Sequence, residues 1–189
     1  MNASVPSRHA RAVLPVLLHV SLLLVAFAAP AQTFGLGAGG GIVNDSKTLE
    51  SLDDFSTGAG YAYLEMLRQP SVLLQGRYTR MSLPPAAEGG FDTDVDAATL
   101  SVAYLFNEGW WKAGFVGGAG AYFLRSQTVS LDQIPTDTKE SVFGFNGGLL
   151  TIFAVSPRLD VRLEANWHLI QDEDKRQPLV VSASATWKF

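Results

Sequence analysis

The sequence predicts an all-β chain: eight antiparallel strands in up-and-down order, closed into a transmembrane barrel. Three observations carry this. The last stretch, LVVSASATWKF from Leu179 to Phe189, alternates with a period of two, the period of a strand. Its face of Leu179, Val181, Ala183, Ala185, Trp187 and Phe189 stays apolar to the last residue, where a soluble domain seldom leaves two aromatics. Hydrophobic residues make up 47% of the sequence, yet after the N-terminal region no run reaches the ~18 apolar residues of a membrane helix.

The N-terminus reads as an export signal. Arg8 and Arg11 precede the apolar run from Ala12 to Ala28, and Ala29-Pro30-Ala31 supplies a small-x-small cleavage pattern. Residues 1–31 are therefore expected to be a signal peptide and residues 32–189 one barrel domain. Pro15 and His19 weigh against a transmembrane anchor. With no cysteine, lipid attachment at the cut, disulfides and thiolate chemistry all fall away. The net charge of −4 gives no reason to expect nucleic acid.

Seven segments precede the terminal strand. TFGLGAGGGIV, residues 33–43, turns Phe34, Leu36, Ala38 and Ile42 one way and four glycines the other. GYAYLEMLRQ, 60–69, sets Ala62, Leu64 and Met66 against Tyr61, Tyr63 and Glu65. SVLLQGRYTRM, 71–81, sets Val72, Leu74 and Tyr78 against Gln75, Arg77 and Thr79. AATLSVAYLF, 97–106, sets Leu100, Val102, Tyr104 and Phe106 against Thr99, Ser101 and Ala103. WKAGFVGGAGAYFL, 111–124, sets Trp111, Ala113, Phe115 and Phe123 against Lys112, Gly114, Gly118, Gly120 and Tyr122. VFGFNGGLLTIF, 142–153, sets Phe143, Phe145, Leu149 and Phe153 against Gly144, Asn146 and Gly148. VRLEANWHLIQ, 161–171, sets Val161, Leu163, Ala165, Trp167 and Leu169 against Arg162, Glu164, Asn166 and His168.

The face with Arg162, Glu164, Asn166 and His168 cannot be the core of a soluble barrel without heavy pairing. The expectation is a protein turned inside out, polar within and apolar without. A basic residue at mid-membrane on the lipid face would cost about 2–4 kcal/mol. Arg80 is the one outward charge in these segments, near a strand end where it can snorkel. The connections alternate: long at 44–59, 84–96, 126–141 and 172–178, short at 69–70, 107–109 and 156–160. That is the pattern of extracellular loops and periplasmic turns, with both termini periplasmic.

With these residues in view, the sequence resembles the small eight-stranded outer-membrane barrels, the group of the outer-membrane protein A transmembrane domain and the outer-membrane protein X type. The carriers are the export signal, the eight segments, the stretches GLGAGGG and GFVGGAGAY, and the terminal Phe189. The resemblance implies a monomer in a Gram-negative outer membrane, in contact with lipopolysaccharide, with a structural or cell-surface role. It also implies that Trp187 and Phe189 form the C-terminal signal read by the assembly machinery. With Phe189 last, no wall-anchoring domain is expected.

Chemistry is sparse. Gly35-x-Gly37-x-x-Gly40 matches a dinucleotide fingerprint but lacks the strand before it and the helix after it. Small inward residues in a narrow lumen explain it better. Glu65, Arg77, Lys112, Arg162, Glu164, His168 and Lys188 point inward and are expected to pair into a polar network that plugs the lumen, since an unpaired buried charge is costly. A narrow pore is the sharper alternative. His168, Glu164 and Ser182 or Ser184 supply the residue types of a hydrolytic triad. Some related barrels act on lipid A acyl chains. However, the deacylase pattern of a His and a Ser two residues apart is broken by Ile170. Asp92, Asp94 and Asp96 open like a calcium loop, but Ala97 and Ala103 stand where it needs Gly and Glu. No catalytic residue, cofactor or metal is therefore expected. Acidic loops, with Asp45, Glu50, Asp53, Asp54 and Glu88, disfavour polyanions such as heparin. A periplasmic barrel carrying an apolar ligand would need the Leu/Phe face inside.

Overall fold

The computed structural model describes residues 33–44, 57–84, 92–129, 135–172 and 175–189. The proposed signal peptide and the acidic residues Asp45 to Asp54 and Glu88 lie outside them. Eight strands follow one another: β1 Thr33–Asn44, β2 Thr57–Gln69, β3 Val72–Leu83, β4 Thr93–Leu105, β5 Trp111–Val129, β6 Pro135–Ser156, β7 Leu159–Ile170 and β8 Leu179–Lys188. Each pairs antiparallel with the next, and β1 pairs with β8, so the sheet closes into a barrel without edges. Closure satisfies the backbone groups that an open edge would leave unpaired in hydrocarbon.

The alternation in the sequence sets which residues face outward. Leu36, Leu64, Tyr78, Val102, Tyr104, Phe115, Phe145, Leu149, Leu163 and Trp187 are exposed, while most of their chain neighbours turn into the lumen. Strands of 12 or 13 residues such as β1 and β2, at ~3.3 Å per residue and a tilt of about 45°, cross close to the 25 Å of an outer-membrane apolar band. Met66 and Leu179 hold outward register positions, yet both are buried. Met66 stands level with Phe34 and Leu74.

Three expectations need correction. The lumen is not polar throughout. Val43, Met81, Leu83, Val95, Tyr122, Leu124, Ile170 and Val180 form an apolar layer at the loop end. Leu73, Leu105, Val116, Leu150 and Ile152 form another at the end holding the termini. Second, the strands are longer than the hydrophobic pattern. β4 begins at Thr93, which puts Asp94 and Asp96 in a strand, and β5 and β6 pair as far as Val129 and Pro135. Most of the expected 126–141 loop is therefore a hairpin that outruns β4, last paired at Arg125, and β7, last paired at Gly144. Above the apolar band neither face needs to be hydrophobic, so the pattern fades while the ladder continues. Third, the longer strands bring charges from beyond the expected segments to Arg80's side of the wall at the loop end: Asp94, Asp96, Arg125 and Lys139.

Candidate functional site

The middle of the lumen is a polar layer built from β2, β3, β7 and β8. Arg77 on β3 grips Glu164 on β7 with both guanidinium ends, Nη1 to Oε1 at 2.7 Å and Nη2 to Oε2 at 2.5 Å. Arg162 on β7 donates to Glu65 on β2. All four side chains are almost wholly buried. Gln75 accepts from Arg77 at 2.9 Å, and Asn166 donates to Glu164 at 3.0 Å. Charges taken out of water need such close pairing and further hydrogen bonds to offset desolvation.

Two tyrosines bind this ladder to β8. The Arg77 guanidinium lies 4.6 Å from the Tyr61 ring centre, and that of Arg162 lies 4.9 Å from the Tyr63 ring centre, within cation–π range. The Tyr61 hydroxyl donates to Ser182 at 3.0 Å. Tyr63 shares hydrogen bonds with Ser184 at 3.0 Å and Thr186 at 2.6 Å. These rings need floor space, and β1 provides it. A methyl group at Gly37 would strike the Tyr63 ring. The glycine-rich stretch thus leaves room for Tyr63, and it lies within a strand rather than between a strand and a helix.

The remaining inward candidates fall outside the ladder. His168 shares a 2.9 Å hydrogen bond between Nδ1 and the Tyr122 hydroxyl, under the loop-end apolar layer. Lys188 pairs with Asp160 at 2.8 Å near the termini. Asp160 sits at the edge of the expected 156–160 turn, so spacing alone does not mark it as a lumen partner. Lys112 lines a small cavity of about 50 Å³ beside Glu65, Asp160 and Lys188, without an ion pair of its own among the described residues. Of the seven predicted residues, the structure brings four into one cluster and leaves Lys112, His168 and Lys188 apart. Ser101 and Asn146, bonded to each other across β4 and β6, complete the polar filling.

The residue types of a triad do not meet. Ser182 and Ser184 are held by Tyr61 and Tyr63, and Glu164 by Arg77, while His168 contacts Tyr122. The His168 backbone bonds Pro178, four residues before Ser182. The acidic triplet is no cation loop either. Asp94 accepts from Ser82 at 2.8 Å and Asp96 from Tyr78 at 2.6 Å, both from the outer side of a strand.

At the terminus end, aromatic rings gather on the outer wall of β4, β5 and β8. Tyr104, Phe106, Trp110, Trp111, Phe115, Trp187 and Phe189 are exposed there. Phe189 closes the barrel seam: its N–H donates to the Phe34 carbonyl at 2.9 Å, and the two rings stack with centres 6.4 Å apart. Aromatic side chains at this level suit the boundary between hydrocarbon and water.

No protein-family model matches the chain, and no curated protein matches its sequence. Solved structures do match its fold. Neisserial surface protein A superposes with a TM-score of 0.62 at 15% identity, over 84% of this chain and 97% of that one. A major outer membrane protein from Thermus thermophilus gives 0.58 at 11% identity, over 84% and 100%. Ail, the attachment invasion locus protein of Yersinia pestis, gives 0.52 at 13% identity, over 84% and 97%. With its closed eight-stranded antiparallel sheet and apolar exterior, the chain has the fold of the small eight-stranded outer-membrane β-barrels.

Proposed function

We propose that this protein is a non-catalytic outer-membrane barrel whose lumen is sealed by its own side chains and whose work is done at the cell surface or in the envelope. Residues 1–31 are removed on export, both termini face the periplasm, and Trp187 and Phe189 are read by the assembly machinery. The barrel acts as a monomer among lipopolysaccharide molecules. The observation that supports this reading is the arrangement of side chains in the lumen. The paired charges Arg77–Glu164 and Arg162–Glu65 cross its middle, and an apolar layer lies on either side. Eight strands enclose little more than side-chain volume, so the interior rigidifies the wall and the rim presents the loops.

The surface role rests on the company of Neisserial surface protein A and Ail. Ail has been crystallised with the heparin analogue sucrose octasulfate. The acidic loop residues Asp45, Asp53, Asp54 and Glu88 argue against such a polyanion at the loops here. Planar-bilayer recording tests the seal. Purified barrel should give no steady conductance, and a stable open level would favour a narrow pore. Mass spectra of lipid A from cells with and without the protein test the absence of chemistry. Identical acylation is expected, and the gain or loss of one acyl chain would make it an acyl hydrolase or transferase.

A further inference from the structure

We propose that the seam between β1 and β8 is the line along which the folded barrel opens, and that Tyr61 and Tyr63 are the strap that holds it shut. Folded proteins open locally where the local free energy of opening is smallest. Every other neighbouring pair of strands is consecutive in the chain. β1 and β8 are its first and last strands, so non-covalent contacts alone join them.

Those contacts are uneven along the seam. Side-chain pairs across the ladder are the unit of sheet stabilisation. At one end Leu36 faces Trp187, and the rings of Phe34 and Phe189 stack. At the other, Ile42 faces Val181 and Val43 faces Val180. Between them Gly37 faces Thr186, Ala38 faces Ala185, Gly39 faces Ser184, Gly40 faces Ala183 and Gly41 faces Ser182. Over that stretch β1 offers nothing larger than a methyl group, and glycine inside a strand weakens it further. The β4–β5 ladder differs: its outward positions on β4 carry Leu100, Val102 and Tyr104 in succession.

The next strand supplies what the seam lacks. Tyr61 and Tyr63 belong to β2, on the far side of β1 from β8, and their hydroxyls cross β1 to reach β8. Tyr61 donates to Ser182 at 3.0 Å, and Tyr63 shares hydrogen bonds with Ser184 at 3.0 Å and Thr186 at 2.6 Å. Those three partners are the residues that face Gly41, Gly39 and Gly37, so the strap falls on the bare stretch. The bare stretch is in turn required. A methyl group at Gly37 would strike the Tyr63 ring, and one at Gly39 or Gly41 would strike a β8 backbone carbonyl. Arg162 on β7 adds a longer tie, passing both seam strands to reach Glu65 on β2. The middle of the seam is therefore held by its backbone ladder and by side chains anchored on β2, and the two hydroxyls set how readily it opens.

The test is amide hydrogen exchange of the folded barrel in neutral detergent micelles, resolved residue by residue by NMR. Phe34 and Phe189 exchange both of their backbone hydrogen bonds. That pattern repeats at every second residue, so the amides of Ala38, Gly40, Ala183 and Ala185 hold the seam. The bond from the Phe106 N–H to the Ala113 carbonyl fixes the β4–β5 pattern in the same way and makes Leu100, Val102, Gly117 and Ala119 the reference set. In the wild type the seam amides should be the less protected set. The double variant Tyr61→Phe, Tyr63→Phe keeps the rings and loses the hydroxyls. Its seam amides should exchange about ten- to a hundredfold faster, as two or three lost hydrogen bonds imply, while the reference set keeps its wild-type rates. Tyr122→Phe removes a lumen hydroxyl that bonds His168 instead, and should leave the seam unchanged. Wild-type seam amides as protected as the reference set would overturn the proposal without any variant. So would an unchanged seam in the double variant, or an equal acceleration of both sets, which would make the tyrosines general stabilisers of the barrel.

Discussion

Gly148 and Gly76 lie on opposite faces of one wall, and a methyl group should mean different things at each. At Gly148 an added Cβ would run into the Ala165 carbonyl of the adjacent strand, a backbone atom that cannot rotate aside. At Gly76, on the outer face, it would meet nothing within 4 Å. Gly148→Ala should therefore cost about 1–3 kcal/mol by overpacking, while Gly76→Ala should be neutral or slightly stabilising through lower unfolded-state entropy. Urea titration of the barrel folded into lipid vesicles separates the two, and equal effects would contradict the inward crowding described here. The charged ladder gives a second prediction at this scale. Arg77→Met leaves Glu164 buried without its partner and should cost about 3–5 kcal/mol. Adding Glu164→Leu to it should recover much of that loss, since an apolar pair leaves no orphan charge. A double variant no better than the single one would mean the ladder contributes more than mutual neutralisation.

The strands are where the sequence is most and least readable. Their inward and outward faces follow from a period of two, so spacing alone places Arg162, Glu164, Asn166 and His168 in the lumen. It does not reveal the apolar ends of the lumen. Ile42 and Val43 are both apolar, yet one faces out and the other faces in, and a pair of hydrophobic neighbours carries no alternation. The reach of β5 and β6 is hidden for the opposite reason: the sequence from Ser126 to Ser141 is mostly polar and carries no alternation to mark a ladder. Pairing is harder still. Glu65 and Arg162 are linked only by a closed sheet, and Asp160 has the look of a turn residue. An element-level prediction follows. Removing residues 128–136 and rejoining the hairpin should leave an SDS-resistant barrel, because neither β4 nor β7 pairs with the described residues of that part. Deleting Phe189 should slow folding and weaken the seam, because its N–H and its ring both engage Phe34 on β1. Cold-SDS mobility checks the first, and refolding rates into lipid vesicles check the second.

For the molecule as a whole, the balance is between two solvents. Leu64, half exposed at the middle of β2, has only apolar or small residues level with it on β1 and β3, Leu36 and Gly76. In water, an arginine there would be harmless or favourable. In a bilayer it should cost about 2–4 kcal/mol at the midplane, so Leu64→Arg should insert poorly into vesicles. The same substitution at Ser82, in the charged outer row, should be tolerated. The interior offers the converse test: polar pairs lie in its middle and apolar layers at either end, with a cavity of about 50 Å³ beside Lys112. A soluble carrier would instead keep the Leu/Phe face inside, around its ligand.

The most direct measurement is electrophoresis of the detergent-extracted envelope protein in SDS, unboiled against boiled, alongside fractionation of the cells. A closed membrane barrel should stay folded in cold SDS, change mobility on boiling and sediment with the outer membrane. A protein that runs identically in both lanes and appears in the soluble periplasmic fraction would contradict the assignment of inside and outside on which every other conclusion rests.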